Sequence, residues 1–381
     1  MTLFYILLEP IPAGWTLIFE EKVEQLIISN PFTQMKFGAI TIKDIAKALG
    51  VSTSTVSRAL RGSHEINPET KREILEYAER YNYRPNPIAQ SLKASKSMAI
   101  GVIVPEIANH FFSQAINGIE AIAYNLGYHV IIAQSHESYE REVINIDHLV
   151  SRRVDGLLIS MSAQTENMKH LVALQESGIP VVFFDRTSEE LETHKVTANN
   201  YNGAYQMTKH LIESGFRRIG LIASANFLSI TKERQDGYKK ALAEYNVPFD
   251  EDYIKYCEWG GMVQAETEQA ISELMNLPEK PRAIVSASDR LTMGTLAAVL
   301  KQGFKVPEDV AVAGFTNLKV ADLLNPSLTS VVQPAFEMGQ VATELLIQLI
   351  ESKRPVTQFE RRILETKLYV RDSSVPQKHK E

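Results

Sequence analysis

Apolar positions in this chain repeat with two different periods. From Thr41 onward they recur at helical spacing, with Ile42, Ile45, Ala46 and Leu49 at i, i+3, i+4 and i+7 forming one face. Thr41 ahead of that run, with Asp44 three residues on, predicts an N-cap of the capping-box kind, and Gly50 predicts the stop. Ser52 predicts the cap of a second helix whose inward face is Val56, Ala59 and Leu60. A short turn holding Gly50 separates the two, which is helix-turn-helix spacing. Asn67-Pro68-Glu69 announces a third helix, with Ile74, Leu75, Ala78 and Tyr81 expected to close a three-helix core. Pro85 and Pro87 end it. Residues 88–93 then have room only for a helix too short to hold alone in water, a segment that orders on meeting a partner.

From Met98 the texture changes to apolar strands alternating with helices. "AIGVIVP", "YHVIIAQS", "VDGLLIS" and "IPVVFFDR" read as strands separated by amphipathic runs, and near residue 203 the alternation restarts. Two such runs predict two lobes of parallel sheet with helices on both faces, and a ligand cleft at the carboxyl ends of the strands.

Composition alters this picture mainly through charge. The chain has 381 residues and a net charge of −6, which on its own argues against a nucleic-acid binder. Residues 41–97, however, carry +4, against −2 for residues 1–40 and −8 for the remainder. The basic charge is thus confined to the small helical block, where a phosphate-binding surface belongs. One cysteine, Cys257, excludes an internal disulfide framework and a CxxC pair and suits a reducing compartment. No apolar run approaches the ~20 residues of a membrane span, and the opening MTLFYILLEP lacks a basic n-region, so a cytoplasmic protein without membrane contact is expected.

The second helix, inside "VSTSTVSRAL", crowds in Ser52, Thr53, Ser54, Thr55 and Ser57, all mediocre helix formers. Placed in a DNA major groove, short hydroxyls approach phosphates and base edges closely. Arg58 can bond the O6 and N7 acceptors of a guanine with both arms of its fork. No P-loop, GxSxG elbow, HExxH or Cys/His metal cluster occurs, so neither an enzyme nor a cofactor is expected.

The run TIKDIAKALGVSTSTVSRALRG…INPETKREILEYAERYNYRPNPIAQSLK closely resembles the DNA-binding segment of the lactose-repressor/galactose-repressor (LacI/GalR) family of bacterial transcription regulators. That resemblance implies base reading by Thr53, Ser54 and Arg58, and phosphate contacts from Ser52, Thr55 and Ser57, with Thr41 and Arg61 also at the DNA. Ala89 and Leu92 match a hinge helix whose leucine wedges into the minor groove. Arg61 and Gln90 depart from the asparagine and arginine usual at those places, which bears on the preferred operator. The resemblance continues through "RRVDGLLIS", "FDR", "KERQDGY", "SASDRLTMG" and "PSLTSVVQP", similar in fold to periplasmic sugar-binding proteins.

The implied organisation is an extension over residues 1–38, an all-α helix-turn-helix domain over 39–85, a hinge over 86–97, and a two-lobed α/β domain over 98–373 with a tail to 381. Lobe one would take 98–198 and 328–360, and lobe two 199–327 and 361–373, with crossings near Asn199, Ser327 and Arg361. Asn199-Asn200 stands where Asp-Asn is usual. The resemblance also implies that Phe111, Phe112, Asp185, Arg234, Trp259 and Asp289 contact a small effector, and their carboxylate, guanidinium and aromatic chemistry suits a sugar or sugar derivative. Four of them have plainer alternatives: Asp289 as a helix N-cap, Arg234 as a surface ion pair, Phe111 and Phe112 as core.

The expected protein is a homodimeric, ligand-responsive repressor on double-stranded DNA with a pseudo-palindromic operator, since one recognition helix reads only a half-site. A regulator controlled by a phosphorylated carrier protein or a non-sugar ligand, and a sugar-binding transport protein, are the competing readings. Met35-Lys36 is expected to be the true start of translation, with the residues before it a gene-model extension.

Overall fold

The computed structural model describes residues 40–84 and 96–375. The chain divides into two compact units, with the boundary at Gln90/Ser91.

In the first unit, helices α1 (Ile42–Leu49), α2 (Thr53–Leu60) and α3 (Pro68–Arg80) enclose a small core of Ile45, Ala46, Val56, Ala59, Ile74 and Ala78. All three N-termini are closed as their sequences predict. Thr41 and Asp44 form a reciprocal capping box, Ser52 Oγ accepts from the Thr55 amide at 3.0 Å, and Asn67 Oδ1 accepts from the Glu69 amide at 2.9 Å with Pro68 at the first helical position. Gly50 ends α1 in the left-handed region at φ 63°. The expected core is corrected in two places. Leu75 and Tyr81 are 42% and 51% exposed, because the inward stripe of α3 runs through Ile74 and Ala78. Tyr77 and Tyr83 pack on that stripe in their place.

The second unit holds two six-stranded sheets. The first runs in the order β11-β5-β4-β3-β1-β2 and the second β12-β10-β9-β8-β6-β7. In lobe one these strands are β1 (Ala99–Val104), β2 (His129–Gln134), β3 (Gly156–Ile159), β4 (Val181–Phe184), β5 (Lys195–Ala198) and β11 (Arg361–Leu364). In lobe two they are β6 (Ile219–Ser224), β7 (Ile254–Cys257), β8 (Ala283–Ser286), β9 (Ala311–Phe315), β10 (Thr329–Val332) and β12 (Lys367–Tyr369). Every pairing is parallel except β10 with β12, an antiparallel edge on an otherwise parallel sheet.

The crossings differ from the expected ones. β10 belongs to lobe two, because Thr329, Ser330 and Val331 continue the register of Ala313, Gly314 and Phe315. The chain leaves that lobe only at Gln333-Pro334, to form α11 (Ala335–Glu351) on the first sheet. β11 then pairs with β5 in lobe one, and the last crossing falls between Leu364 and Lys367. Helix α11 lies against α4 (His110–Asn125) at two glycines. A methyl group on Gly118 would overlap the Phe336 carbonyl, and one on Gly339 the Ala115 carbonyl, so only hydrogen at both positions permits this approach.

Candidate operator-reading helix and effector cleft

In the first unit, the outward face of α2 carries the polar residues that its sequence crowds together. Ser52, Thr53, Ser54 and Arg58 are exposed, Thr55 and Ser57 half-buried, while Val56 and Ala59 are turned inward. Ser52 Oγ lies 2.7 Å from Ser54 Oγ and 2.8 Å from Thr55 Oγ1, so three hydroxyls cluster on the first turn, beside helix amides that favour an anion. Arg58 reaches Glu65 at 3.3 Å with both side chains more than half exposed. Such a pair holds weakly in water and leaves the guanidinium available to a stronger partner. Arg61 is the C-cap of α2 and its Nε donates to the Ser57 carbonyl at 3.0 Å, so it finishes the helix it follows. Thr41 is exposed at the start of α1. Ala89 and Leu92, expected in a hinge helix, lie outside the described residues, as do residues 1–39.

In the second unit, the carboxyl ends of both sheets face each other across a cleft, and four polar links bridge it. His110, the first residue of α4, places Nδ1 3.5 Å from Asp289 Oδ2. Glu106 pairs with Arg290, Gln114 and Asn317 exchange two hydrogen bonds of 3.1 Å, and Ser229 Oγ donates to the Thr187 carbonyl at 3.2 Å. Ala163 of lobe one adds an apolar contact with Ala225, Leu228 and Ile230 of lobe two.

Charged side chains are buried at the floor of this cleft. Asp185, one residue past β4, is 5% exposed and left-handed at φ 62°. Burial raises its carboxyl pKa, and the Arg186 and Arg234 charges oppose that rise. Arg234, on α8 (Ser229–Glu244), is 2% exposed. Its Nε and Nη2 donate to Asn200 Oδ1 at 2.9 and 2.7 Å, its Nη1 donates to the Ala287 carbonyl, and its plane lies 4.0 Å from the Phe315 ring centre. Burial lowers its pKa to about 10, so it remains charged at neutral pH. Arg186 is locked to Glu137 by a two-point ion pair of 2.6 and 3.0 Å. The hydroxyls of Ser135, Ser160, Thr187 and Ser224, at or just beyond strand ends, are buried without a hydrogen-bond partner.

The sequence-based candidates thus divide. Asp185, Arg234 and Asp289 do come to the cleft. Arg234 is buried there, which removes its reading as a surface ion pair. Asp289 is the first residue of α10 (Asp289–Lys301), whose N-cap is Ser288, so its carboxylate is not occupied with capping and instead accepts from the Thr316 hydroxyl. Phe111 and Phe112 are 5% and 4% exposed and belong to the core of lobe one, Phe112 meeting Phe184 edge-on at 6.5 Å. Trp259 is 39% exposed on the loop after β7, with its amide bonded to Glu266 at 3.2 Å. Sequence reasoning passed over Glu137 and Arg186 as site residues, and noted Asn200 only as part of the Asn199-Asn200 departure at a lobe crossing, without its tie to Arg234. Arg186 stands in the "FDR" run already singled out, and its place just past a strand end was the available signal. Nothing local marks Glu137, whose partners are distant in the chain.

Two family descriptions match: "Bacterial regulatory proteins, lacI family" over residues 41–86 and "Periplasmic binding protein-like domain" over 208–374. The HTH-type transcriptional repressor PurR of Vibrio parahaemolyticus is 32% identical over 326 residues, covering 85% of this chain and 95% of that protein. The chain belongs to the lacI family. Another relative is catabolite control protein A of Priestia megaterium, 31% identical over 315 residues, with 82% and 93% of the two chains covered. A solved structure titled "transcriptional regulator CelR-cellobiose complex" superposes with a TM-score of 0.63 at 29% identity, covering 88% of this chain and 99% of the other. This lacI-family chain is a DNA-binding transcriptional regulator, and its PurR relative is named as a transcriptional repressor. Among its described residues, no helix is long and apolar enough to cross a membrane.

Proposed function

We propose that this regulator is a cytoplasmic homodimer that represses carbohydrate-use genes from a pseudo-palindromic operator and is controlled by a sugar-like effector in the cleft between its lobes. Its DNA surface consists of Thr41, the Ser52–Arg58 face of α2, Arg61 and the hinge residues Ala89 and Leu92. Its effector surface is built on Asp185, Arg234, Asp289 and Trp259, with Phe111 and Phe112 behind them. The single observation that carries the effector half is the cleft floor. Buried charges and unpartnered hydroxyls converge at the carboxyl ends of two parallel sheets, which is chemistry that hydroxyl groups satisfy. The cellobiose named with the CelR structure fits the same class.

Because the four polar links join the lobes directly, an effector that changes their spacing alters the whole unit. It must bind the two arrangements with unequal affinity for anything to shift. The test is footprinting of the full chain across genomic DNA, followed by repetition at the strongest site with a panel of sugars. Discrete two-fold sites beside sugar-use genes, with occupancy changed at least tenfold by a sugar, are expected. Diffuse, salt-sensitive binding at every sequence would overturn the operator reading.

A further inference from the structure

Glu137 lies in the loop between β2 and α5 (Tyr139–Ser151), where His136 and Glu137 are both left-handed at φ 49° and 63°. Two successive non-glycine residues in that region are strained, and such strain persists only where surrounding contacts hold it. The contacts here are specific. Glu137 is 4% exposed; its Oε2 accepts from Arg186 Nη1 at 2.6 Å and from the Ala163 amide at 2.7 Å, and its Oε1 accepts from Arg186 Nη2 at 3.0 Å. Lobe two closes on the same carboxylate: a methyl group built on Gly260 would stand 3.4 Å from Glu137 Oε1 and 3.2 Å from Ser224 Oγ.

This arrangement decides which charges the cleft can accept. Recognition of a phosphate or carboxylate uses the two parallel donors of a guanidinium fork. Both fork nitrogens of Arg186 are taken by Glu137, leaving Nε as its buried nitrogen without a partner. Arg234 is committed through all three nitrogens to Asn200 and the Ala287 carbonyl. The Glu137 carboxylate neutralises Arg186, and Asp185 and Asp289 place two further carboxyl groups in the same cleft. An anion entering here meets no open fork and no surplus of positive charge, whereas the buried hydroxyls of Ser135, Ser160 and Ser224 are without partners that a hydroxylated neutral molecule can supply.

We infer that Glu137 is a specificity-determining residue: by occupying the Arg186 fork it restricts the cleft to uncharged polyhydroxylated ligands and excludes their phosphorylated or carboxylated counterparts. This rests on the cleft being the effector site, and it names the ligand class that site takes.

The test uses the full chain and two readouts, ligand binding by calorimetry and thermal unfolding, and operator affinity measured separately. With inorganic phosphate as probe against chloride at equal ionic strength, the natural protein shows no saturable binding. Glu137→Gln opens the fork and gains phosphate affinity by at least tenfold, and the gain disappears in Glu137→Gln/Arg186→Met. Saturable phosphate binding to the natural protein that Arg186→Met abolishes, or a folded Glu137→Gln protein that gains nothing, overturns the inference. Should Glu137→Gln not fold, the natural protein alone decides. Cellobiose and ribose are compared with their phosphates, and a phosphate binding as tightly as its parent sugar overturns the inference, while tenfold preference for the parent upholds it. If the phosphate gain appears yet no sugar alters operator affinity, charge selection by Glu137 stands and the effector reading falls.

Discussion

Arg58 and Arg234 carry the same side chain under opposite constraints. Arg58 is more than half exposed with one weak partner, and is free to trade that partner for a base. Replacing it with alanine is expected to cost about 1–3 kcal/mol of discrimination at a single base pair. Competition binding on operator variants at fixed salt measures this, and a loss spread evenly over all positions would mean a phosphate contact instead. Arg234 is held from three sides, and the device that holds it is Asn200. Asn200→Ala leaves two buried donors of a charged group without their acceptor. About 1–3 kcal/mol of stability should be lost, read by denaturant unfolding. The difference between the two arginines could not be read from their neighbours in sequence, because burial is settled by residues far away in the chain. The candidate site was legible to the extent that strand ends reveal it: Asp185 and Arg186 follow an apolar run directly. Glu137 gave no such signal, since its meaning comes entirely from the residue it faces.

Elements show the same division. The three helix starts of the DNA-binding unit were legible to the residue because caps are local, within one turn of the chain, whereas the inward stripe of α3 was misplaced at Leu75 and Tyr81 and the helix ends at Arg80, ahead of Pro85. Thr41→Ala tests this directly: losing the capping box should remove about 1 kcal/mol from the unfolding free energy, and Thr41→Ser should restore most of it. Among the strands, β5, β7, β11 and β12, each carrying lysine or arginine, were missed, and β1 to β4 were visible as apolar runs. Membership in a lobe was not visible, because β10 and β11 are chosen by register with β9 and β5, and nothing in "TSVV" or "RRIL" states which sheet is waiting. The close crossing of α4 and α11 was likewise invisible until Gly118 and Gly339 were found facing backbone carbonyls.

On the scale of the whole molecule, acid should loosen the two-lobed unit through His194 and His210. Both are held below the ordinary imidazole pKa by burial, and each accepts or shares a hydrogen bond with the late segment of the chain, His194 Nδ1 from the Glu360 amide at 2.9 Å and His210 Nε2 with Ser374 Oγ at 2.7 Å. A folded pKa below the unfolded value near 6.5 means that the unfolded chain binds more protons under acid conditions. Their contribution is therefore full above about pH 6.5 and is lost as pH falls through the depressed folded values. The melting temperature should fall between neutral and mildly acid pH, and fall less in a His194→Gln/His210→Gln protein. An unchanged slope in that protein would show that carboxylates carry the whole effect.

The three crossings also set an order of events during synthesis. Lobe one is not complete when its first five strands have been made, because its sheet still lacks β11 and its covering helix α11, which are translated only after nearly all of lobe two. At a translation rate of about 5–20 residues per second, β5 waits on the order of ten seconds or more as an unpaired sheet edge on the ribosome. Its neighbour β4, and β3 beyond it, are apolar throughout, so the nascent chain presents a sticky half-domain for that interval. The same topology that ties the lobes together in the finished regulator makes its birth dependent on whatever shields that edge, and makes any product truncated before residue 364 a target for clearance.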